Sequence, residues 1–225
     1  MKETMLFLHW QRPFHSWNGR FFLCKSGAPK KQASFFKEVM IMTNTAGNKT
    51  RKLTTLAMLA ALAIILVAFI HFPLIPAAPF LEYDPADIPI LIGSFVYGPW
   101  VGLGLTAVVS ILQGVTVSAA SGPIGIIMHL LATGSCVTAA GLVYRRWHTR
   151  KGAVAALCAS IAVRTVVMCG CNLVFTPLFL GQSVGDVVAM LIPAIIPFNF
   201  LYAAINSAVT FVVYKPISAF LHKNA

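Results

Sequence analysis

The 225-residue chain is 58% hydrophobic and only 10% charged, where a soluble domain carries roughly 25% charged residues. Its mean hydropathy is +0.80, and the surplus of apolar side chains has to face lipid, which excludes an ordinary soluble domain and implies one polytopic membrane domain. The net charge of +11 does not point to nucleic acid, because most basic residues sit at the ends of apolar spans or in the N-terminal extension, without aromatic–basic interleaving.

Residues 1–48 are basic and aromatic, and no apolar run in them is long enough to span a membrane or to form a secretory signal core. We expect a poorly ordered extension here, with translation truly beginning at Met40 or Met42. The alternative is a basic tail touching anionic lipid. The membrane domain then runs over 49–225. Apolar spans follow at 53–70, 88–97, 101–117, 124–144 and 153–175, and a last region covers 187–214. A straight crossing needs roughly 20 residues, so 88–97 is too short alone and is expected to be a truncated helix starting at Pro85. Pro197 is expected to start the sixth helix, leaving 186–196 as a loop or re-entrant piece.

Charge placement sets the topology. Lys49, Arg51 and Lys52 precede the first span, Arg145, Arg146, Arg150 and Lys151 separate the fourth and fifth, and Lys215 and Lys223 follow the sixth. With six crossings these fall on one side, which the positive-inside rule makes the cytoplasm, along with both termini. Glu82, Asp84, Asp87 and Asp186 then fall outside.

Within the spans, Ala57 and Ala61 lie four apart on one face, a spacing that lets another helix approach closely. Arg164, Met168 and Asn172 share a face of the fifth span, and Asn199, Tyr202 and Asn206 share one of the sixth. An arginine inside a membrane is a functional candidate; its bland explanation is snorkelling or pairing with a carbonyl or hydroxyl. Asn172 and Asn199 stand at similar depth, and carboxamides both donate and accept, which suits a flat ligand with carbonyls and ring nitrogens. Their bland explanation is inter-helix hydrogen bonding. Gln113 and His129 are further pocket or packing candidates. The five cysteines have no regular spacing, and no metal-ligand cluster, P-loop or nucleophile elbow is present. No catalytic residue, metal or cofactor is therefore expected.

The segment 80–93 (FLEYDPADIPILIG) holds three of the six acids, Glu82, Asp84 and Asp87, and leads through 95–99 (FVYGP) into the next span. With Asn172 and Pro177, the run 196–199 (IPFN) and the ending 213–216 (VYKP), it resembles the substrate-binding S components of energy-coupling-factor vitamin transporters, in particular the riboflavin-specific branch. The likeness covers about residues 49–220. It implies a compact six-helix bundle in the bacterial plasma membrane, an outer vitamin site closed by the loop after the first helix, and a coupling (T) subunit plus two ATPase subunits as partners. In that family Ala57 and Ala61 would meet the coupling subunit, and Asn172 and Asn199 would hydrogen-bond the isoalloxazine ring. Tyr83 is expected to meet the ligand, and Glu82 and Tyr202 to lie beside it, at positions where riboflavin binders commonly carry lysine. The loop acids need not touch a cation for this reading to hold. Thiamine or pantothenate is the alternative cargo, and an integral membrane enzyme the alternative class.

Overall fold

The computed structural model describes residues 30–76 and 78–223, with side chains over 49–214 apart from Ala77. The chain divides into two units, 1–45 and 46–225; the membrane-length helices and the cavity lie in the second. The extension expected over 1–48 falls largely outside the described residues, and from Lys30 its backbone is helical.

Among the described residues, the chain consists of helices, their connecting loops and one two-residue ladder. Helix α1 (Lys30–Phe69) leads into strands β1 (Phe72–Pro73) and β2 (Glu82–Tyr83), which pair antiparallel with Phe72 opposite Tyr83 and Pro73 opposite Glu82. Helices α2 (Asp87–Tyr97), α3 (Pro99–Val115), α4 (Gly122–Arg146) and α5 (Arg150–Leu180) follow, then α6 (Val184–Met190) and α7 (Ile196–Lys223). Among the described residues, four stretches are long and apolar enough to cross a membrane: Lys49–Phe69, Ala119–Arg146, Arg150–Leu180 and Val184–Tyr214. At 1.5 Å per residue, the 11-residue α2 and 17-residue α3 are shorter than that.

Helix α2 is the truncated helix expected from 88–97, and it begins at Asp87 rather than Pro85. Ile90, Leu91 and Ile92 are wholly buried, and α3, α4 and α7 pack around it. The turn out of α2 combines Gly98, at φ 94°, with Pro99 in the first turn of α3. Only glycine adopts that φ without strain, and proline is preset for a helix start.

The sequence expectation for the stretch before α7 is corrected. The stretch 186–196 is not a loop: α6 runs into a π-helical turn, Leu191–Ile195, and then directly into α7. The wide turn accommodates Pro193 and the approach to Pro197, whose missing N–H groups and rings would break a regular α-helix. Asp186 closes a capping box with Ser183 at the start of α6. Helix α5 likewise continues past Pro177 to Leu180, although the proline forfeits the hydrogen bond its N–H would have made.

Close helix approach near the α2–α3 turn depends on glycine. A Cβ on Gly141 would stand 2.6 Å from Ser94 Oγ and 2.9 Å from the Pro99 Cα. The Pro99 backbone cannot yield as a flexible side chain would. Gly141→Ala is therefore expected to destabilise the protein by about 1–3 kcal/mol, read as a lower unfolding midpoint in detergent. Gly104→Ala, where the added Cβ meets nothing within 4 Å, should be close to neutral.

Candidate functional site: a polar cavity beneath the α1–α2 loop

A cavity of about 180 Å³ lies among α3, α4, α5, α7 and the loop following α1. The i, i+4 spacing of α5 sets Arg164, Met168, Asn172 and Thr176 in a column down one wall, and α7 adds Phe198, Asn199 and Tyr202. Across from these, α3 contributes Ser110 and Gln113, and α4 contributes His129. The loop contributes His71, Glu82 and Asp84 at the remaining side.

Of the residues expected at the site, Asn172, Asn199, Tyr202 and Glu82 come together around this cavity, and Tyr83 does not line it. The Tyr83 ring turns into an apolar cluster with Leu81, Val187, Ile195 and Phe198. Its hydroxyl donates to Asn206 Oδ1 at 2.8 Å, and its ring meets Tyr202 edge-on at 5.2 Å between centroids. Burial, and then Asp84 and Asp87, push its phenol up to about 12, so it remains a donor at physiological pH. Asn206 in turn donates to the Asp84 carbonyl at 3.2 Å. Tyr83 and Asn206 thus tie the loop to α7. Glu82 is half-exposed at the rim and pairs with His71 at 2.6 Å.

One of the loop acids does meet a cation. Asp87 is wholly buried, accepts from Thr133 Oγ1 at 2.7 Å, and forms an ion pair with Arg164. Arg164 therefore neither snorkels nor relies on a carbonyl. Its guanidinium also lies over the Tyr202 ring, 3.9 Å from the centroid. Asp84 is a hub that the sequence did not single out: its carboxylate accepts from Tyr202 Oη at 3.0 Å, Gln113 Nε2 at 3.2 Å and the Ala86 amide at 3.0 Å. Through it the loop is tied to both α3 and α7.

The hydrogen-bonding capacity left over is concentrated here. Five buried side-chain polar atoms lack a partner among the described residues: Gln113 Oε1, His129 Nε2, Arg164 Nε, Asn199 Oδ1 and Ser207 Oγ. The first four belong to cavity-lining residues. A buried polar group without a partner costs about 1–3 kcal/mol, so four around one cavity mark a place where a ligand supplies the missing bonds. Asn199 shows the design. Its Nδ2 donates to the Ile195 carbonyl at 2.9 Å, which directs Oδ1 to the free side. Asn172 makes the same bond to the Met168 carbonyl, while its Oδ1 accepts from Thr176. The two carboxamides are therefore oriented by their own helices before any ligand arrives.

Comparison with known proteins agrees with this geometry. Residues 51–214 match the family model described as ECF transporter, substrate-specific component. The chain is 29% identical over 206 residues to the riboflavin transporter RibU of Streptococcus thermophilus, covering 88% of this chain and 97% of that one. It is 28% identical over 160 residues to the riboflavin transporter RibU of Staphylococcus aureus, covering 68% and 84%. A solved structure of the S component of a bacterial ECF transporter superposes with a TM-score of 0.67 at 28% identity, covering 77% of this chain and 98% of that chain.

Proposed function

The chain belongs to the substrate-specific components of energy-coupling-factor (ECF) transporters, and from that premise we propose that it captures riboflavin in the cavity beneath the α1–α2 loop. It is an integral membrane protein of a transporter family and not an enzyme. Its work is to bind on one side of the membrane and present the ligand for release on the other. ATP hydrolysis and coupling fall to its partners, a transmembrane coupling subunit and two ATPase subunits.

One observation carries this reading: Asn172 and Asn199 stand in one cavity with their carboxamides oriented, and Asn199 Oδ1 has no partner. An acceptor at that place suits a ring N–H, and the second Nδ2 hydrogens suit ring carbonyls. Tyr202, held by Asp84 and Arg164, offers a rigid aromatic face. Curated relatives named as riboflavin transporters support the same cargo. In the topology we propose, α1 to α5 and the α6–α7 unit provide six crossings, with both termini in the cytoplasm of a bacterial cell and the loop acids outside. Ala57 and Ala61, both exposed on α1, form the face for the coupling subunit. Tyr83 acts as the tie that holds the loop closed rather than as a ligand contact.

Glu82 and Asp84 in the wall favour a cation, so thiamine is the competing cargo. Titration of the detergent-purified protein separates the two. Saturable quenching of riboflavin fluorescence is the expected result; its absence in folded protein, with saturable thiamine binding instead, would reverse the assignment. Asn199→Ala is expected to weaken riboflavin binding about fivefold or more, the equivalent of a net hydrogen bond of about 1 kcal/mol. An unchanged affinity would remove Asn199 from the site.

A further inference from the structure

The turn between α4 and α5 carries a cluster of cations with no acid beside it. Helix α4 ends on Arg145 and Arg146, and α5 begins with Arg150 and Lys151; all four are exposed. None of them has an ion-pair partner among the described residues. The acids within 46–225 are Glu82, Asp84, Asp87 and Asp186, and they stand elsewhere. Glu82 and Asp84 line the cavity, and Asp186 starts α6, beyond the other end of α5. Asp87 pairs with Arg164, which lies 14 residues along α5 from Arg150, about 20 Å at 1.5 Å per residue. Counter-charge for the turn has to come from outside this unit.

The turn is firmly built. The Trp147 amide donates to the Val143 carbonyl at 3.2 Å, and the Gly152 amide donates to Thr149 Oγ1 at 3.0 Å. A Cβ on Gly152 would stand 1.9 Å from the Trp147 carbonyl oxygen, so a side chain there would force the turn open. Beneath it the Tyr144 ring packs on Phe95 and Tyr214, 4.7 Å and 5.8 Å between centroids, and its hydroxyl lies 2.9 Å from that of Tyr214. Trp147 remains 58% exposed on this base. Trp100, 75% exposed, stands at the same end, because Pro99 packs on Gly141 one turn before Arg145.

Position narrows the choice of partner. The turn joins two helices long and apolar enough to cross a membrane, 119–146 and 150–180, so it lies at headgroup level. Tryptophan concentrates at that level, with its apolar body toward the acyl chains and its N–H toward water. Cations there are drawn to anionic lipid, and guanidinium groups match phosphate oxygens in pairs. Two exposed indoles beside the cations favour lipid over a free phosphate ion or an acidic protein face. We propose that the α4–α5 turn is a docking surface for the phosphate headgroups of anionic lipids, with Trp147 and Trp100 seated among them. The surface is independent of the cargo, and in the topology proposed above its lipids belong to the cytoplasmic leaflet.

The test places the full chain in phosphatidylcholine nanodiscs with a trace of spin-labelled lipid and measures the lipid immobilised at the protein. Spin-labelled phosphatidylglycerol should be preferred over spin-labelled phosphatidylcholine about fivefold or more. The preference should fade in about 1 M salt, where charge is screened within ~3 Å. Arg145→Gln, Arg146→Gln, Arg150→Gln and Lys151→Gln together should bring the ratio within about twofold of unity, whereas Lys49→Gln with Lys52→Gln on α1 should leave most of it. Arg146→Gln with Arg150→Gln disturbs insertion less and should lower the ratio about twofold; no change in that variant overturns the proposal even if the fourfold variant does not insert. A wild-type ratio near unity, or equal losses from the α1 and turn variants, would also overturn it. Preference abolished by inorganic phosphate at matched ionic strength would give the cations to a free ion instead. Loss of the partner subunits from the fourfold variant with lipid preference unchanged would make the turn a protein interface.

Discussion

Arg164→Met is expected to destabilise the protein by about 3–5 kcal/mol, because it leaves the Asp87 carboxylate buried without its counter-charge. Asp87 is wholly buried and Arg164 almost so, so water replaces neither partner. The pair joins the first turn of α2 to the middle of α5, and Thr133 on α4 completes the cluster. The same substitution removes the cation from the face of Tyr202, adding about 0.5–2 kcal/mol. Unfolding midpoints in detergent without ligand measure the effect. The companion variant carries Asp87→Asn with Arg164→Met, which removes both charges and keeps an acceptor for Thr133. It should recover most of the lost stability, since replacing a whole buried pair is often neutral where halving it is costly. A single variant as stable as wild type would show that the pair is not what holds α2 against α5.

This pair also marks the boundary of what the sequence discloses. Apolar run lengths located α2 through α5 and the C-terminal end of α1 closely, though not the start of α1 at Lys30, and the 98–99 glycine–proline turn ends α2 where expected. Helical spacing brought Arg164, Met168 and Asn172 onto one buried face, as it did Asn199 and Tyr202. Those are properties of single helices, and periodicity reports them. The partner of Arg164 lies 77 residues away, and no periodicity connects the two. One physical signal was nonetheless available. A cation in lipid requires an acid, and the nearest acids by depth sat at the start of the short helix. Assigning all of Glu82, Asp84 and Asp87 to an outer loop hid that match. Asp84 was missed for a similar reason: its role as a hub for Tyr202 and Gln113 depends on how the loop folds back over α7. The continuity of α6 into α7 was missed because two prolines read as breaks, whereas one π turn takes up both. Gln113 and His129 were visible as polar residues inside apolar spans, but only the arrangement of their neighbours shows which atoms remain unpartnered.

Ala57→Trp is expected to abolish riboflavin uptake and recovery of the coupling subunit with this chain, while leaving riboflavin binding by the isolated chain unchanged. Helix α1 has two distinct faces. Ala60, Ala63 and Val67 are buried against the bundle, whereas Ala57, Met58, Ala61, Ile65 and Phe69 are exposed. Lipid tails are as apolar as these side chains, so exposure alone drives no association; close packing does. Two alanines a turn apart make a shallow groove that lets a second helix backbone come near, and an indole at Ala57 would hold it off. Ala57 does not line the cavity, which separates the loss of assembly from any loss of capture. Val108→Trp on α3 is the control, because Val108 is half-exposed on another helix and a bulky group there should meet only lipid. Co-purification from membranes expressing all subunits, uptake by the same cells and titration of the isolated chain give the three readouts. Normal assembly by Ala57→Trp would take this face of α1 out of the interface. Loss of riboflavin binding in the isolated variant would place Ala57 in the support of the cavity instead.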